Sequence, residues 1–337
     1  MLIWPASEIS FSAMNEKQQP DLDGIAGAVE IIRPFLAETP LLRSELLSRA
    51  LDADIWLKYE VATPIASFKI RGALNAAVNA RNAGAGGVVT SSTGNHGQGV
   101  AYAARLLGMP ADIFLPSPAN RIKAQMIEAF GGTVHEVGDN FELTKSAALE
   151  YAEQQSHLFI NDGEAVDVME GAGTIGWEIA KRLNDIDLVL IPLGGGNLSG
   201  GCVTAIKALQ PNTKVISVQA KGSPAVTESF HARESLERPI DTVADGLVTG
   251  KPCELAMSVL WRLLDDAWLV SDEELLATTH SLLSSAHVLV EPAGAASLAG
   301  ACRHRDQVRG KRIVFILTGA NIGSELLQRV LATDPII

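Results

Sequence analysis

From about Asp21 onward the chain alternates between short apolar runs and longer Ala- and Leu-rich stretches, and this alternation most narrows what it can fold into. The apolar runs are DIWLKYE (54–60), GGVVTS (86–91), ADIFLP (111–116), GTVHEV (132–137), HLFIN (157–161), DLVLIPL (187–193), KVISVQ (214–219), AWLV (267–270) and RIVFIL (312–317). Helical patterning fills many of the gaps, over 67–82, 95–107, 119–130, 141–155, 168–183 and 199–209. Strand, helix, strand repeated in this way predicts an α/β fold of mostly parallel sheets covered by helices on both faces. A single core rarely grows to 337 residues, so two lobes are expected. No repeat, low-complexity tract or linker separates them, which predicts one lobe inserted in the sequence of the other.

Composition sets limits on partners. The net charge is −12, so a polyanionic partner such as nucleic acid or an anionic membrane is disfavoured. Cys202, Cys253 and Cys302 lie far apart without C-x-x-C spacing, which argues against a disulfide framework or zinc site and fits a reducing cytoplasm. The first 20 residues lack the basic flank and long apolar core of a signal peptide or membrane span. They are expected to be poorly ordered, with Met14 an alternative start.

In parallel sheets, ligands bind beyond the carboxyl ends of strands. Two loops there stand out: SSTGNHGQG (91–99) and PLGGGNLSGG (192–201). Each is a small-residue loop opening a helix, where backbone N–H groups hold anions. The second lacks G-x-G-x-x-G spacing, and the following strand ends in Gln219 rather than an acid, which disfavours a nicotinamide dinucleotide and suits a phosphate monoester. Ser92, Thr93, Gly94 and Asn95 suit a substrate carboxylate, with His96 beside them and given no catalytic weight. Lys69, in SFKIRGA (67–73), falls where a helix begins and where the dipole disfavours a cation, so its amine is expected to be pressed towards the neutral, nucleophilic form. A nucleophilic lysine, a phosphate cradle and a carboxylate cradle together meet the needs of pyridoxal 5′-phosphate acting on an amino acid.

Six segments, KYEVATPIASFKIRGA (58–73), SSTGNHGQG (91–99), GGGNLSG (194–200), VADGL (243–247), VEPAGA (290–295) and TGAN (318–321), resemble in content and order the threonine dehydratase and serine racemase group of fold-type II pyridoxal-phosphate enzymes. The resemblance runs from about Leu36 to Asn321 and implies a tryptophan synthase β-like pair of lobes, with 1–86 and 163–337 in a large cofactor-binding lobe and 87–162 in a small mobile one. It implies that Lys69 carries the cofactor as a Schiff base and moves the α-proton, that Phe68 flanks the pyridine ring, and that Asn95 bonds its 3′-oxygen. Gly194, Gly195, Gly196 and Asn197 would wrap the phosphate, and Thr318 would meet the ring nitrogen. Asn197 stands where the group usually has a fourth glycine, a turn that Asn tolerates better than most residues. Ile65, Ala66 and MEGAGT (169–174) also depart from the group's pattern, which leaves substrate size and polarity open.

The implied reaction is β-elimination from a 3-hydroxy amino acid such as L-threonine or L-serine, giving a 2-oxo acid and ammonia. A bulkier 3-hydroxy amino acid, a hydroxyectoine catabolite, or serine racemisation are alternatives within the group. A nicotinamide oxidoreductase or a non-catalytic amino-acid-binding protein are the alternatives outside it. The resemblance also implies a homodimer without a C-terminal effector-binding domain. QAKGSPAV (219–226) places Gln219 and Ala225 where the racemase branch has metal-binding carboxylates, so no divalent-cation site is expected.

Overall fold

The computed structural model describes residues 19–337, so the reading of the first residues and of Met14 falls almost wholly outside the described residues. The strands are β1 (Leu41–Arg43), β2 (Asp54–Tyr59), β3 (Val88–Ser91), β4 (Ala111–Leu115), β5 (Thr133–Glu136), β6 (Leu158–Phe159), β7 (Leu188–Pro192), β8 (Lys214–Ala220), β9 (Asp266–Val270) and β10 (Arg312–Leu317). The helices are α1 (Leu22–Ile32), α2 (Glu45–Leu51), α3 (Lys69–Asn82), α4 (Asn95–Leu107), α5 (Arg121–Ala129), α6 (Phe141–Gln155), α7 (Val166–Arg182), α8 (Asn197–Leu209), α9 (Ala225–Ala232), α10 (Glu254–Leu263), α11 (Asp272–Ser285), α12 (Ala296–Arg303), α13 (Arg305–Val308) and α14 (Ser324–Leu331).

Two sheets form. One has the order β1-β2-β10-β7-β8-β9, the other β5-β4-β3-β6. All pairings are parallel except that of β1 with β2. Every residue of β3, β4 and β7 is buried, which is why these strands read as unbroken apolar runs rather than as alternation: helices cover both faces. The strands of the smaller sheet are contiguous in sequence and sit between β2 and β7, so one sheet is inserted within the other's chain order. The loops after β3 and β7 open α4 and α8, as the sequence pattern predicts.

Apolar clusters cover the larger sheet on its two sides, Leu57, Leu190, Phe315 and Leu317 on one and Val189, Ile191, Val314 and Ile316 on the other. This is the period-two alternation of strand side chains. A third cluster joins α3 (Ile70, Leu74) to β3, β4 and α4 (Val88, Ile113, Val100). The helix that begins at Lys69 is therefore packed into the small sheet's core, while β2 and the preceding loop belong to the larger sheet.

A buried charge network fixes α3. Arg71 donates to both carboxylate oxygens of Glu60 (2.8 and 3.0 Å), to both of Glu178 (2.6 and 2.9 Å), and to Thr174 and Thr39. Lys58 bonds the carbonyl of Thr39 (2.8 Å) and also pairs with Glu178. Two cations face two anions, so no net charge is left uncompensated in the interior. Burial works against the charge of Glu178, but Arg71 and then Lys58 outweigh it and hold its carboxyl below the ordinary range.

Candidate active site

The head of α3 lies where the two sheets meet. Residues 63–69 are tied to the end of β10: Ser67 bridges Gly319, the Phe68 N–H donates to the carbonyl of Thr318 (3.0 Å), and the Ala320 N–H donates to the carbonyl of Ala66 (2.9 Å). Ala66 adopts φ 50°, a left-handed conformation costly for a residue with a Cβ. That kink sets the approach to α3. Lys69 is the first helical residue, and its Nζ lies 5.1 Å from the centroid of the Phe68 ring. From the other side α4 comes close: a Cβ on Gly99 would stand 3.2 Å from the Lys69 carbonyl carbon, so any larger residue would need the two helices to shift by a few tenths of an ångström.

The Lys69 amine is not solitary. It donates to both carboxylate oxygens of Asp162, 2.7 Å to Oδ1, in the loop between β6 and α7. The expectation of a lysine pressed towards neutrality by the helix dipole did not include this carboxylate, with which the amine is paired. Burial opposes the Asp162 charge, yet Lys69 and then His96 keep that carboxyl below the usual carboxylate range. The His96 ring is 2 % exposed, with Nε2 at 3.3 Å from the Ile160 carbonyl and Nδ1 at 3.4 Å from Asp162 Oδ1. Burial first, and then the Lys69 charge, push the imidazole below its usual range, so it is neutral.

Asn95, the last residue of the candidate carboxylate-binding run, is held at both ends of its amide. Its Nδ2 donates to Glu291 (2.9 Å) and its Oδ1 accepts from Asn321 Nδ2 (2.7 Å). One Asn95 N–H remains for a ligand. Asn321 also donates to the Ile65 carbonyl (3.0 Å), on the segment leading to Lys69. Burial pushes the Glu291 carboxyl up to about 7, against the lowering effect of the Asn95 bond. Ser92 and Thr93 are half-buried in the same loop, and the Ser92 hydroxyl accepts from the Gly94 N–H (3.3 Å).

After β7, the turn Gly194–Gly195–Gly196 ends at Asn197, the first residue of α8. Gly196 has φ 105°, and a Cβ there would fall 2.6 Å from that of Ala256; a Cβ on Gly194 would meet the Gly246 carbonyl at 2.9 Å. Neither α4 nor α8 has a side-chain cap on its first-turn N–H groups. Asn197 is 6 % exposed, with neither its amide nitrogen nor its oxygen hydrogen-bonded. A buried amide donor without a partner, beside uncapped helix N–H groups in a glycine turn, fits a phosphate group. Thr318, 4 % exposed, follows the last residue of β10.

The structure therefore brings Lys69, Phe68, Asn95 and Thr318 to one place, and Gly194–Asn197 open α8 after β7, the strand that neighbours β10. Asp162, Glu291 and Asn321 are site residues without a role in the sequence reading. Glu291 and Asn321 lie in motifs quoted there; Asp162 has no motif, but follows a strand's carboxyl end, where ligand-facing residues are expected. Among the described residues no group of three or more His, Cys, Asp or Glu could hold a metal ion. At the segment compared with the racemase metal site, the Gln219 oxygen already accepts the Thr227 N–H (2.9 Å).

A lysine at a helix head, together with two uncapped helix N-termini after strands of a pair of mostly parallel sheets, defines a cofactor-dependent enzyme of the fold-type II class. Residues 32–319 match the family model described as "Pyridoxal-phosphate dependent enzyme", and the chain belongs to that family. It is 34% identical over 308 residues to an L-threonine ammonia-lyase of Geobacter sulfurreducens, covering 91% of this chain and 77% of that one. An L-threonine ammonia-lyase of Thermotoga maritima is 34% identical over 312 residues, 92% of this chain and 78% of that one. Among solved structures, the processed threonine deaminase isoform 2 of Solanum lycopersicum superposes with a TM-score of 0.86 at 33% identity, over 94% of this chain and 95% of that one. Maize serine racemase gives 0.87 at 28% identity, over 93% and 97%. The cofactor of the family is pyridoxal phosphate, and no helix among the described residues is long and apolar enough to cross a membrane.

Proposed function

We propose that the chain is a pyridoxal-phosphate-dependent ammonia-lyase that dehydrates and deaminates a 3-hydroxy amino acid, L-threonine or L-serine by default. The observation that carries this is the Lys69 amine at a helix head packed against α4, in a chain whose Gly194–Asn197 turn leaves a buried amide without a partner. When bound, the cofactor supplies an electron sink for the carbanion left by α-proton removal. Gly194–Asn197 would hold its phosphate, Phe68 would flank its ring, Asn95 would offer its remaining N–H to the 3′-oxygen, and the Thr318 hydroxyl would meet the ring nitrogen. Lys69 would be its attachment point and the base for the α-proton. Ser92, Thr93 and Gly94, with the uncapped first turn of α4, orient the substrate carboxylate.

The identities above extend this reading to the activity: curated relatives named as L-threonine ammonia-lyases match most of the chain. The finer expectations are a mobile small lobe over 87–162, a homodimer and a cytoplasmic setting, and light scattering reporting a monomer would refute the second. Borohydride treatment of the protein with its cofactor should leave the reduced label on Lys69, and Lys69→Ala should abolish both label and ammonia release from L-threonine. Label recovered on a different lysine overturns the assignment.

Dehydration should also outrun racemisation. Racemising needs a proton donor on the face opposite Lys69, and Thr93 is the hydroxyl in the matching loop. Its branched Cβ stiffens χ1 where the substrate's α-carbon must fit. With L-serine in deuterated water, pyruvate should form faster than D-serine; the reverse order moves the chain towards the racemases.

A further inference from the structure

His96 is wedged between two acceptors. Its Nε2 faces the Ile160 carbonyl at 3.3 Å and its Nδ1 faces the Asp162 carboxylate at 3.4 Å. A neutral imidazole has one N–H, so whichever nitrogen carries it, the other turns a lone pair towards an oxygen. The Nδ1 atom is buried and has no hydrogen-bond partner. Such an orphaned atom is costly, and one further proton would satisfy it. The nearest source is the ammonium of Lys69, bound to the same Asp162 oxygen that faces Nδ1. The series Lys69 Nζ, Asp162 Oδ1, His96 Nδ1 is continuous and runs from the half-buried amine into the interior.

We propose that Asp162 and His96 manage the proton of Lys69: Asp162 holds the amine as an ammonium while it is unattached, and the proton it sheds on becoming a nucleophile passes through Asp162 to His96 Nδ1. The balance is simple. The Nζ–H bond breaks with its electron pair left on Nζ; Asp162 gains a proton on one oxygen and gives one up to Nδ1; an N–H bond forms there and nothing is oxidised. Burial opposes protonation of His96 most, and the lesser opposition of the Lys69 charge disappears as the proton leaves. Besides Lys69 from α3 and His96 from α4, the charged or titratable groups around this loop include Cys253, at the start of α10, Lys145 on α6, and Glu164 within the loop itself. Asp162 is 38 % exposed, which lets it accept substitution without emptying a core. Both residues are positioning residues for Lys69.

The inference rests on Lys69 being the reactive amine. Its test follows attachment of pyridoxal phosphate to the cofactor-free full-length chain over a range of pH, trapping with borohydride and locating the label by mass spectrometry. If the wild-type label is not on Lys69, the functional reading fails first. With the label on Lys69, Asp162→Asn should move the attachment profile to lower pH by about one unit, so that loading below neutrality is about tenfold faster, as expected when an opposite charge within 4–6 Å is removed. Asp162→Glu should restore the wild-type profile, and all three should converge at high pH. A structural role alone would slow loading at every pH. In parallel, nitrogen NMR of the His96 ring should show protonation at higher pH in Lys69→Met and at lower pH in Asp162→Asn. An unshifted loading profile in Asp162→Asn, or a His96 titration indifferent to both changes, overturns the proposal.

Discussion

Glu291 concentrates the unusual electrostatics of the site into one side chain. Its carboxyl is pushed up to about 7 by burial, while an unfolded glutamate releases its proton near 4.3. Between those values the folded chain binds more protons than the unfolded one, so stability falls as pH rises through this window and levels off above about 7. Glu291→Gln keeps an oxygen for Asn95 Nδ2 and removes the titration. Urea denaturation should therefore show a flatter pH profile for the variant, and a gain on the order of 2 kcal/mol at mildly alkaline pH. A wild-type slope retained in the variant would place the titration elsewhere. Glu291 was visible in the sequence as part of VEPAGA, yet its role was not, because its partner Asn95 is 196 positions away. The Lys69–Asp162 contact spans 93 positions and left no trace in spacing or composition.

At the scale of elements, α3 is the piece on which the site depends. Arg71 and Lys58 share Glu178, so removing that carboxylate leaves two buried cations with Glu60 alone. Glu178→Gln should cost about 3–5 kcal/mol of unfolding free energy, the typical penalty for breaking a buried pair from one side. Because the Glu178 carboxyl is held below the ordinary range, its contribution is present above the unfolded value, near 4, and is lost as pH falls through the lower folded value. Acid unfolding of the variant should accordingly be less steep than that of wild type. If the variant instead matches wild type in both respects, the network is not what fixes α3. The expected strands, from β2 to β10, were legible as short, largely apolar runs between turn-forming residues, most plainly β7, where every residue is buried. β1 was not: it has three residues, two of them exposed, and it forms only by pairing antiparallel with Trp56, Leu57 and Lys58. Both helices that open on glycine turns were legible for the opposite reason, since the turn chemistry is local.

On the scale of the whole molecule, polar ties cross between the two sheets in two distinct settings. Asn321, beyond β10, holds Asn95 on α4 and the carbonyl of Ile65 in a partly buried site. Lys123 on α5 reaches Asp245 at 2.9 Å on the surface, where the two side chains are 38 and 77 % exposed. An exposed pair of this kind contributes about 0–1 kcal/mol and is screened by salt, whereas a buried acceptor stripped of its donor costs about 1–3 kcal/mol. The interior tie should therefore govern how firmly the cofactor is enclosed. Asn321→Ala leaves the Asn95 oxygen and the Ile65 carbonyl without that donor, and frees the amide proposed to bond the cofactor. Its cofactor dissociation constant should rise about tenfold, equivalent to about 1.4 kcal/mol. Lys123→Ala should change it by less than about threefold at moderate salt. Equilibrium dialysis of both variants at low and moderate salt checks the order. If Lys123→Ala loosens the cofactor as much as Asn321→Ala, and salt reproduces the loss in wild type, enclosure is controlled at the rim rather than beneath the Asn95 loop.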